Sequence, residues 1–296
     1  MSVLLSGQLL FAALSTGALY ALIGLGLNLV YGTMRLLNVA HGDLVMIGAY
    51  IAFWGFTLLG LSPVFGIGFA ALAGALLGWA TYVCLFRRML ATPALLRRLE
   101  GNSLLIFFGI SVILQNLAAL AFTASPRGYL YLDDVYHLGN IAMTGNRLLA
   151  LGVALVICLA LYLLLRLHVF GLAIKALIER REAALIVGVN IDRVQLASLC
   201  LGFAIAAVAG VLVSTTEQIS PFMGFPFTIS AFVVIILGGL GNISAGLAAG
   251  FLLGALQIYG VALTSASFQS VLVYGVFVAV LLLRPQGLLG RGRILR

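Results

Sequence analysis

Charged residues are scarce in this chain: only 8% of its 296 positions are Asp, Glu, Lys or Arg, whereas a soluble domain carries about 25%. Hydrophobic residues make up 63% of the sequence, and the mean hydropathy is +1.21. A soluble fold of this length could not bury so much apolar surface, so the composition excludes that class. We predict an all-α, polytopic transmembrane helix bundle.

Cysteine and lysine are also rare. The cysteines, Cys84, Cys158 and Cys200, lie in apolar stretches without metal-ligand spacing, which argues against a zinc site or a disulfide framework. The single lysine, Lys175, follows an isoleucine, so the chain contains no Walker A motif. A nucleophile, a base and an orienting group do not cluster in any region. We therefore expect no catalytic residues, no metal and no cofactor.

The first 34 residues contain no lysine or arginine, so the basic beginning of a signal peptide is missing and we expect a retained first span. Since a spanning helix needs about 20 residues, the uncharged runs predict nine spans, with eight or ten as alternatives. The spans are 7–31, 40–59, 63–86, 102–124, 148–166, 194–214, 226–241, 245–263 and 268–284. The stretches around Asn38 and Gly238 are the weakest, because polar or glycine-rich segments at membrane depth often form broken or re-entrant helices. Residues 1–296 are expected to form one transmembrane domain.

The cations are distributed unevenly between the predicted loops. Arg127 and Arg147 fall on one side of the membrane, and the other fourteen of the 16 Lys and Arg residues fall on the opposite side. The positive-inside rule makes the cation-rich side cytoplasmic, with the N-terminus outside and the C-terminus inside. The net charge of +8 therefore reports orientation and requires no nucleic-acid partner.

A charged cluster at residues 179–193 separates two apolar stretches and predicts contact with an aqueous partner. Residues 179–187 fit a short amphipathic helix with a polar leading end, which Gly188 can end. The cluster matches the Glu-Ala-Ala-x-x-x-Gly pattern by which ABC importer permeases present a helix to their ATPase. By charge and amphipathicity alone, a helix lying on anionic headgroups is an equal alternative. With the pattern, we predict a cytoplasmic coupling loop at 176–193, whose candidate ATPase-coupling residues are Arg180, Arg181, Glu182, Ala183, Ala184 and Gly188.

Polar residues and glycines within the apolar regions are candidates for a translocation path or gate, because such groups usually face a cavity or a partner. They are Asn28, Asn38, His41, Asp43, Gln115, Asn116, Gly238, Gly239, Gly241 and Asn242. For His41 and Asp43 the main alternative is a helix cap at the cytoplasmic boundary. For Gln115 and Asn116 it is a hydrogen bond between helices.

Three further glycines, Gly246, Gly250 and Gly254, recur at every fourth position. They fall on one face of a helix and therefore predict close packing against a neighbouring helix.

Several blocks, taken together, resemble the permeases of branched-chain amino acid ABC importers. The blocks are residues 26–32, 38–50, 188–194 and 237–243, and residues 284–291 resemble the family's C-terminal end. The length and the Asn-Val-Ala-His-Gly block that begins at Asn38 favour the H-type of the two permease subunits. There are two departures: Asp43 stands where the family more often has Glu, and the charged cluster lacks the Leu-Pro ending of the broader Glu-Ala-Ala pattern.

The resemblance implies a bacterial inner-membrane subunit that moves leucine, isoleucine or valine by ATP-driven alternating access. Its implied partners are cytoplasmic ATPase subunits that hydrolyse the ATP, a second permease subunit, a periplasmic substrate-binding protein and the lipid bilayer. A permease heterodimer is expected, and a homodimer is the alternative. A urea or short-chain amide permease would share this architecture. An ion-coupled secondary transporter would instead require paired acidic or histidine groups within the spans.

Overall fold

The computed structural model describes residues 6–91, 99–139, 141–284 and Gly287. Within these ranges the chain is mainly helical. The helices are α1 Gly7–Met34, α2 His41–Leu59, α3 Pro63–Thr81, α4 Arg87–Ala91, α5 Leu99–Phe122, α6 Gly145–Leu167, α7 Val169–Glu179, α8 Arg181–Ile186, α9 Ile191–Ser214, α10 Gly224–Gly238, α11 Ile243–Leu263 and α12 Gln269–Leu283. A π-helical turn, Tyr82–Phe86, joins α3 to α4, and a 3-10 turn, Ala266–Phe268, precedes α12. Strands β1 Val135–Leu138 and β2 Ile141–Thr144 form an antiparallel hairpin.

Seven helical segments in the described ranges are long and apolar enough to cross a bilayer. They belong to α1, α2, α3 with its extension to Leu90, α5, α6, α9 and α11. The remaining apolar helices, α10 and α12, have 15 residues each and are shorter than a standard span. Each predicted span thus corresponds to a helix, and the predicted polytopic helix bundle is confirmed.

Helices α1 and α9 form the centre of the bundle. Helix α1 packs against α6, α9, α10 and α11, and α9 packs against α1, α2 and α3. Ala21, Leu22 and Ile23 of α1 have no exposed surface, whereas Leu120 of α5 is 84% exposed. Helices α1 and α5 are both apolar around their whole circumference. Protein covers α1, whereas α5 turns apolar side chains outward, where lipid is their natural surrounding.

Small residues bring α1 and α11 into close contact. Gly250 lies against the backbone of Ala21, and Gly254 lies against the backbone of Gly17. A Cβ atom placed on Gly246 would be 2.8 Å from the Asn28 side-chain nitrogen. The glycine stripe therefore faces α1, and a side chain at position 250 would collide with backbone atoms.

The bundle has two chemically different ends. At the first, here called the β end, Arg127 and Ile219 exchange two backbone hydrogen bonds, and Ser62 and Tyr131 share a hydrogen bond of 2.7 Å. Arg127 and Arg147 lie there with the hairpin. The opposite end, here called the charged end, contains α7 and α8. The other described cations belong to segments at the charged end: Arg35, Arg87, Arg88, Arg166, Lys175, Arg180, Arg181, Arg193 and Arg284. Arg97, Arg98, Arg291, Arg293, Arg296 and most of the 284–291 block lie outside the described residues.

Two interruptions of the helices fall where the sequence predicts the weakest spans. Leu36 and Asn38, in the non-helical link between α1 and α2, have no exposed surface. The turn between α10 and α11 contains Gly239 and Gly241 at φ +91° and +81°. Non-helical backbone at membrane depth is tolerated where protein surrounds it, as it does around the first of these links.

Candidate functional site

The first polar cluster surrounds the beginning of α2. His41 and Asp43 are 0% and 1% exposed. The Nε2 atom of His41 lies 3.0 Å from the carbonyl oxygen of Ile23, near the middle of α1. A cap at the cytoplasmic boundary does not fit this position, because α2 begins beside the middle of a span. Asp43 nevertheless lies in the first turn of α2, where the positive end of the helix dipole favours a carboxyl group.

Gln115 joins this cluster from α5. Its Nε2 atom donates to Asp43 Oδ1 at 2.9 Å and lies 3.0 Å from Ser111 Oγ. Gln115 therefore forms a hydrogen bond between two helices. Among the described residues, the buried Oδ2 atom of Asp43 has no partner.

Asn116 does not belong to the cluster. Its side-chain nitrogen donates to the Val112 carbonyl of its own helix at 2.7 Å, and the residue is exposed. Adjacent helical residues point about 100° apart, so Gln115 and Asn116 face different surroundings. The hydrogen bond of Asn116 thus lies within α5, and its assignment to the translocation path stays a prediction.

The α1–α2 link is fastened to α10 by Thr228, which sequence reasoning missed. Its hydroxyl accepts the Gly42 N–H at 2.8 Å and lies 3.0 Å from the Val39 carbonyl. A lone threonine in an apolar run gives no signal for this role. Asn38, in the same link, keeps both side-chain amide atoms buried and without a partner among the described residues.

A second polar cluster holds the α10–α11 turn. The Asn28 side chain donates to the Asn242 carbonyl at 3.0 Å and accepts the Gly241 N–H at 2.8 Å. The Asn242 side chain in turn accepts the Ala245 N–H at the start of α11, at 3.2 Å. Asn28 and Asn242 thus hydrogen-bond to backbone groups of the turn. Gly238 ends α10, and Gly239 follows it with φ +91°.

At the charged end, the short helix α8 is exposed on one side. Leu185, Ile186 and Val187 are 57%, 86% and 73% exposed, while Ala184 has no exposed surface. Glu182 and Ala183 are exposed as well, and Arg181 is half-buried. An apolar patch with charged residues at its edge is typical of a contact surface.

The end of α8 is a Schellman motif. The N–H groups of Gly188 and Val189 donate to the carbonyls of Leu185 and Ala184, and Gly188 has φ +81°. Gly188 thus occupies the position at which glycine most often follows a helix.

The start of α8 differs from the predicted helix at 179–187. Helix α7 ends at Glu179, and Arg180 is extended, with φ −152° and ψ 111°, so α8 begins only at Arg181. The expectation of one helix beginning at Glu179 is wrong. The extended backbone of Arg180 separates α7 from α8, so this segment contains two helices instead of one.

One side chain of α7 connects the charged end to the interior. Cβ atoms placed on Gly32 of α1 and on Gly241 would lie 3.0 and 3.2 Å from Ile178 side-chain atoms. Ile178 therefore sits between α1 and the turn that Asn28 holds. A displacement of α7 would press directly on both.

A multi-span helical bundle with interrupted helices and buried polar clusters is typical of the class of membrane transporters. The family model "Branched-chain amino acid transport system / permease component" matches residues 9–281. The chain belongs to this family. No solved structure matches it.

Curated proteins that are similar to this chain support the same family. The high-affinity branched-chain amino acid transport system permease protein BraD of Pseudomonas aeruginosa is 31% identical, over 97% of this chain and 96% of that protein. LivH of Escherichia coli K12 is 30% identical over the same shares. The corresponding permease LivM of E. coli K12 is 29% identical over 92% of this chain but only 68% of its own length. The H-type prediction is confirmed, and the chain is a permease component of a branched-chain amino acid transport system.

Proposed function

We propose that this chain is the H-type permease subunit of an ATP-driven importer that brings branched-chain amino acids into the cytoplasm by alternating access. The observation that carries the coupling step is the position of Ile178, between Gly32 and Gly241. Through this contact, a force applied at α7 and α8 reaches the polar turn inside the bundle. The chain itself works without a catalytic group, because ATP is hydrolysed on a partner.

The partner at the charged end is a pair of ATPase subunits. The exposed apolar patch of α8 supports docking into a groove of another protein, with Arg180, Arg181 and Glu182 beside it and Gly188 fixing its end. The alternative, a helix lying on headgroups, would use the same patch. The proposal makes the charged end cytoplasmic, in agreement with its cations, and places the N-terminus outside.

The other partners follow from the family. A second permease, of the kind named LivM among the relatives, completes a heterodimer, and a homodimer is the alternative. A periplasmic binding protein delivers the cargo at the β end. Within the chain, His41, Asp43, Gln115 and Asn38 form the gate region, and the turn held by Asn28 is its moving part.

The test is ATP hydrolysis by the complex purified from native membranes through this subunit and reconstituted in lipid with its binding protein. We expect leucine to stimulate hydrolysis and urea to leave it unchanged. Stimulation by urea alone would reassign the cargo. Uptake of leucine without any ATP hydrolysis would point to an ion-coupled transporter.

The coupling assignment has its own test. Glu182→Ala and Gly188→Val should abolish leucine uptake while ATP hydrolysis continues and the subunit stays folded in the membrane. Gly188→Val forces a β-branched residue into a left-handed conformation, which displaces the end of α8. Gly152→Val is the matched control, because nothing lies within 4 Å of the Cβ position at Gly152. Normal uptake by both variants would contradict the assignment.

A further inference from the structure

An apolar groove of about 710 Å³ runs between α2 and α5, and none of the polar residues selected from the sequence lines it. One wall includes Met46, Tyr50 and Trp54 of α2, and the other includes Leu114, Ala118 and Phe122 of α5. Each set recurs at every fourth position, so each lies along one face of its helix. Tyr50 stacks on Phe122 with ring centroids 4.6 Å apart, which joins the two walls.

A polar group lies beyond the groove lining, on the side of the charged end. Asp43 precedes Met46 by one helical turn, and Gln115, although adjacent to Leu114, points about 100° away from it. Their side chains bond across from α2 to α5 at 2.9 Å. The other carboxyl oxygen of Asp43 is buried and has no partner in the described part of the chain. Ser111 also hydrogen-bonds the Asp43 carboxyl group. Because the oxygen is buried, the α2–α5 contact must open at this point before a cationic group can reach it.

The opposite end of the groove carries a cation. The guanidinium of Arg127 lies 5.3 Å from the centroid of the Trp54 ring, at the β end. Positions 43 and 54 are separated along α2 by roughly 16 Å at 1.5 Å per residue. The two charges of a single amino acid are much closer together than that. A single amino acid therefore cannot contact Arg127 and Asp43 at the same time.

We propose that this groove is the path of the cargo through the chain, an inference that rests on the proposed function. The carboxylate of the amino acid meets Arg127 at the mouth, its branched side chain passes along the apolar walls, and its ammonium group reaches Asp43 beside Gln115. Aliphatic groups favour such walls, and an ammonium group in a region of low dielectric requires a carboxylate. Urea has neither group. A lipid chain or a partner helix would suit the walls but would leave the Asp43 oxygen unpaired.

Uptake of labelled leucine by the reconstituted complex tests the path. Asp43→Asn keeps the shape and the bond to Gln115 but removes the charge, and Ala118→Trp fills the groove. We expect each to lower leucine uptake roughly tenfold or more, while ATP hydrolysis continues. Leu72→Trp is the control, because Leu72 is 58% exposed on the outer face of α3. Uptake within twofold of wild type for both variants would overturn the inference. If the wild-type complex itself does not take up leucine, the proposed function fails instead.

Water access gives a second measurement that does not depend on a bulky side chain. Ala118→Cys and Leu72→Cys are introduced into a chain whose Cys84, Cys158 and Cys200 are replaced by serine or alanine. A water-soluble thiol reagent should modify position 118 in the nucleotide-free or the ATP-bound complex, and leucine-loaded binding protein should change the rate. Position 72 should stay unmodified in lipid. Absence of modification at position 118 in both states would show that lipid or a partner helix fills the groove, and would overturn the inference.

Discussion

Asn28 and Asn38 are both fully buried, yet their side-chain amides have opposite surroundings. The Asn28 amide satisfies one N–H and one carbonyl of the α10–α11 turn. The Asn38 amide has no partner among the described residues. The sequence marks both as polar groups in apolar runs, but it cannot separate them, because the partners of Asn28 lie more than 200 residues further along the chain. The sequence alone therefore does not distinguish an asparagine with a structural role from one with a role in transport. The position of the α10–α11 turn in the structure is needed to separate them.

At this scale we predict the effect of Asn28→Ala. The substitution leaves the Gly241 N–H without its acceptor in a partly buried turn, and should lower the free energy of unfolding by roughly 1 kcal/mol. Thermal unfolding of the purified subunit in detergent measures the change. Asn116→Ala is the control, since Asn116 is exposed and bonds only its own helix. It should remain within about 0.5 kcal/mol of wild type. Equal effects of the two substitutions would argue against a structural role of Asn28.

At the scale of the element, the presence of each helix follows from the length of its uncharged run. The face that each helix buries does not. Helix α1 is apolar along its whole circumference, so no periodicity identifies the side that meets α11. Only the spacing of Gly246, Gly250 and Gly254 indicates a contact face, and even this pattern does not name the partner helix. The break at Arg180 carries no proline or glycine and was not predictable.

The stripe leads to a prediction for α11. Gly250→Leu would push a side chain into the backbone of Ala21, so overpacking should cost roughly 1–3 kcal/mol or more and displace α11 from α1. Gly109→Leu on α5 enters open space and should be neutral or stabilising. The thermal midpoints of the two variants in detergent check this pair. An unchanged midpoint for Gly250→Leu would mean that the α1–α11 contact is looser than described.

At the scale of the whole molecule, the separation of charge between the two ends was predictable from the loops. Arg127 and Arg147 lie at the β end and the other described cations at the charged end, as the sequence predicts. The family was also predictable, from the sequence blocks between Gly26 and Ile243. The groove between α2 and α5 was not predictable, because its walls are ordinary apolar residues on helices that are distant in sequence. Their meeting depends on the packing of both helices around the bundle.

The orientation gives a prediction for the intact membrane. Lys175→Cys on α7 should react with an impermeant thiol reagent only from the cytoplasm, and Asp133→Cys near the hairpin only from the periplasm. This expectation follows from the proposed orientation, in which the cation-rich charged end is cytoplasmic. Labelling of intact cells and of inverted vesicles, in a chain without its native cysteines, provides the comparison. Labelling from the reverse sides would invert the orientation and exclude ATPase docking at α8.

The central position of α1 has a consequence for synthesis in the cell. Helix α1 is synthesised before the helices that cover it, and its partner α11 ends more than 200 residues later. At 5–20 residues per second, α1 waits roughly 10–50 seconds for its neighbours. During that interval the Asn28 amide has neither the α10–α11 turn nor water in the bilayer core to bind. We therefore expect the Asn28 amide to use temporary hydrogen-bond partners until the C-terminal helices arrive.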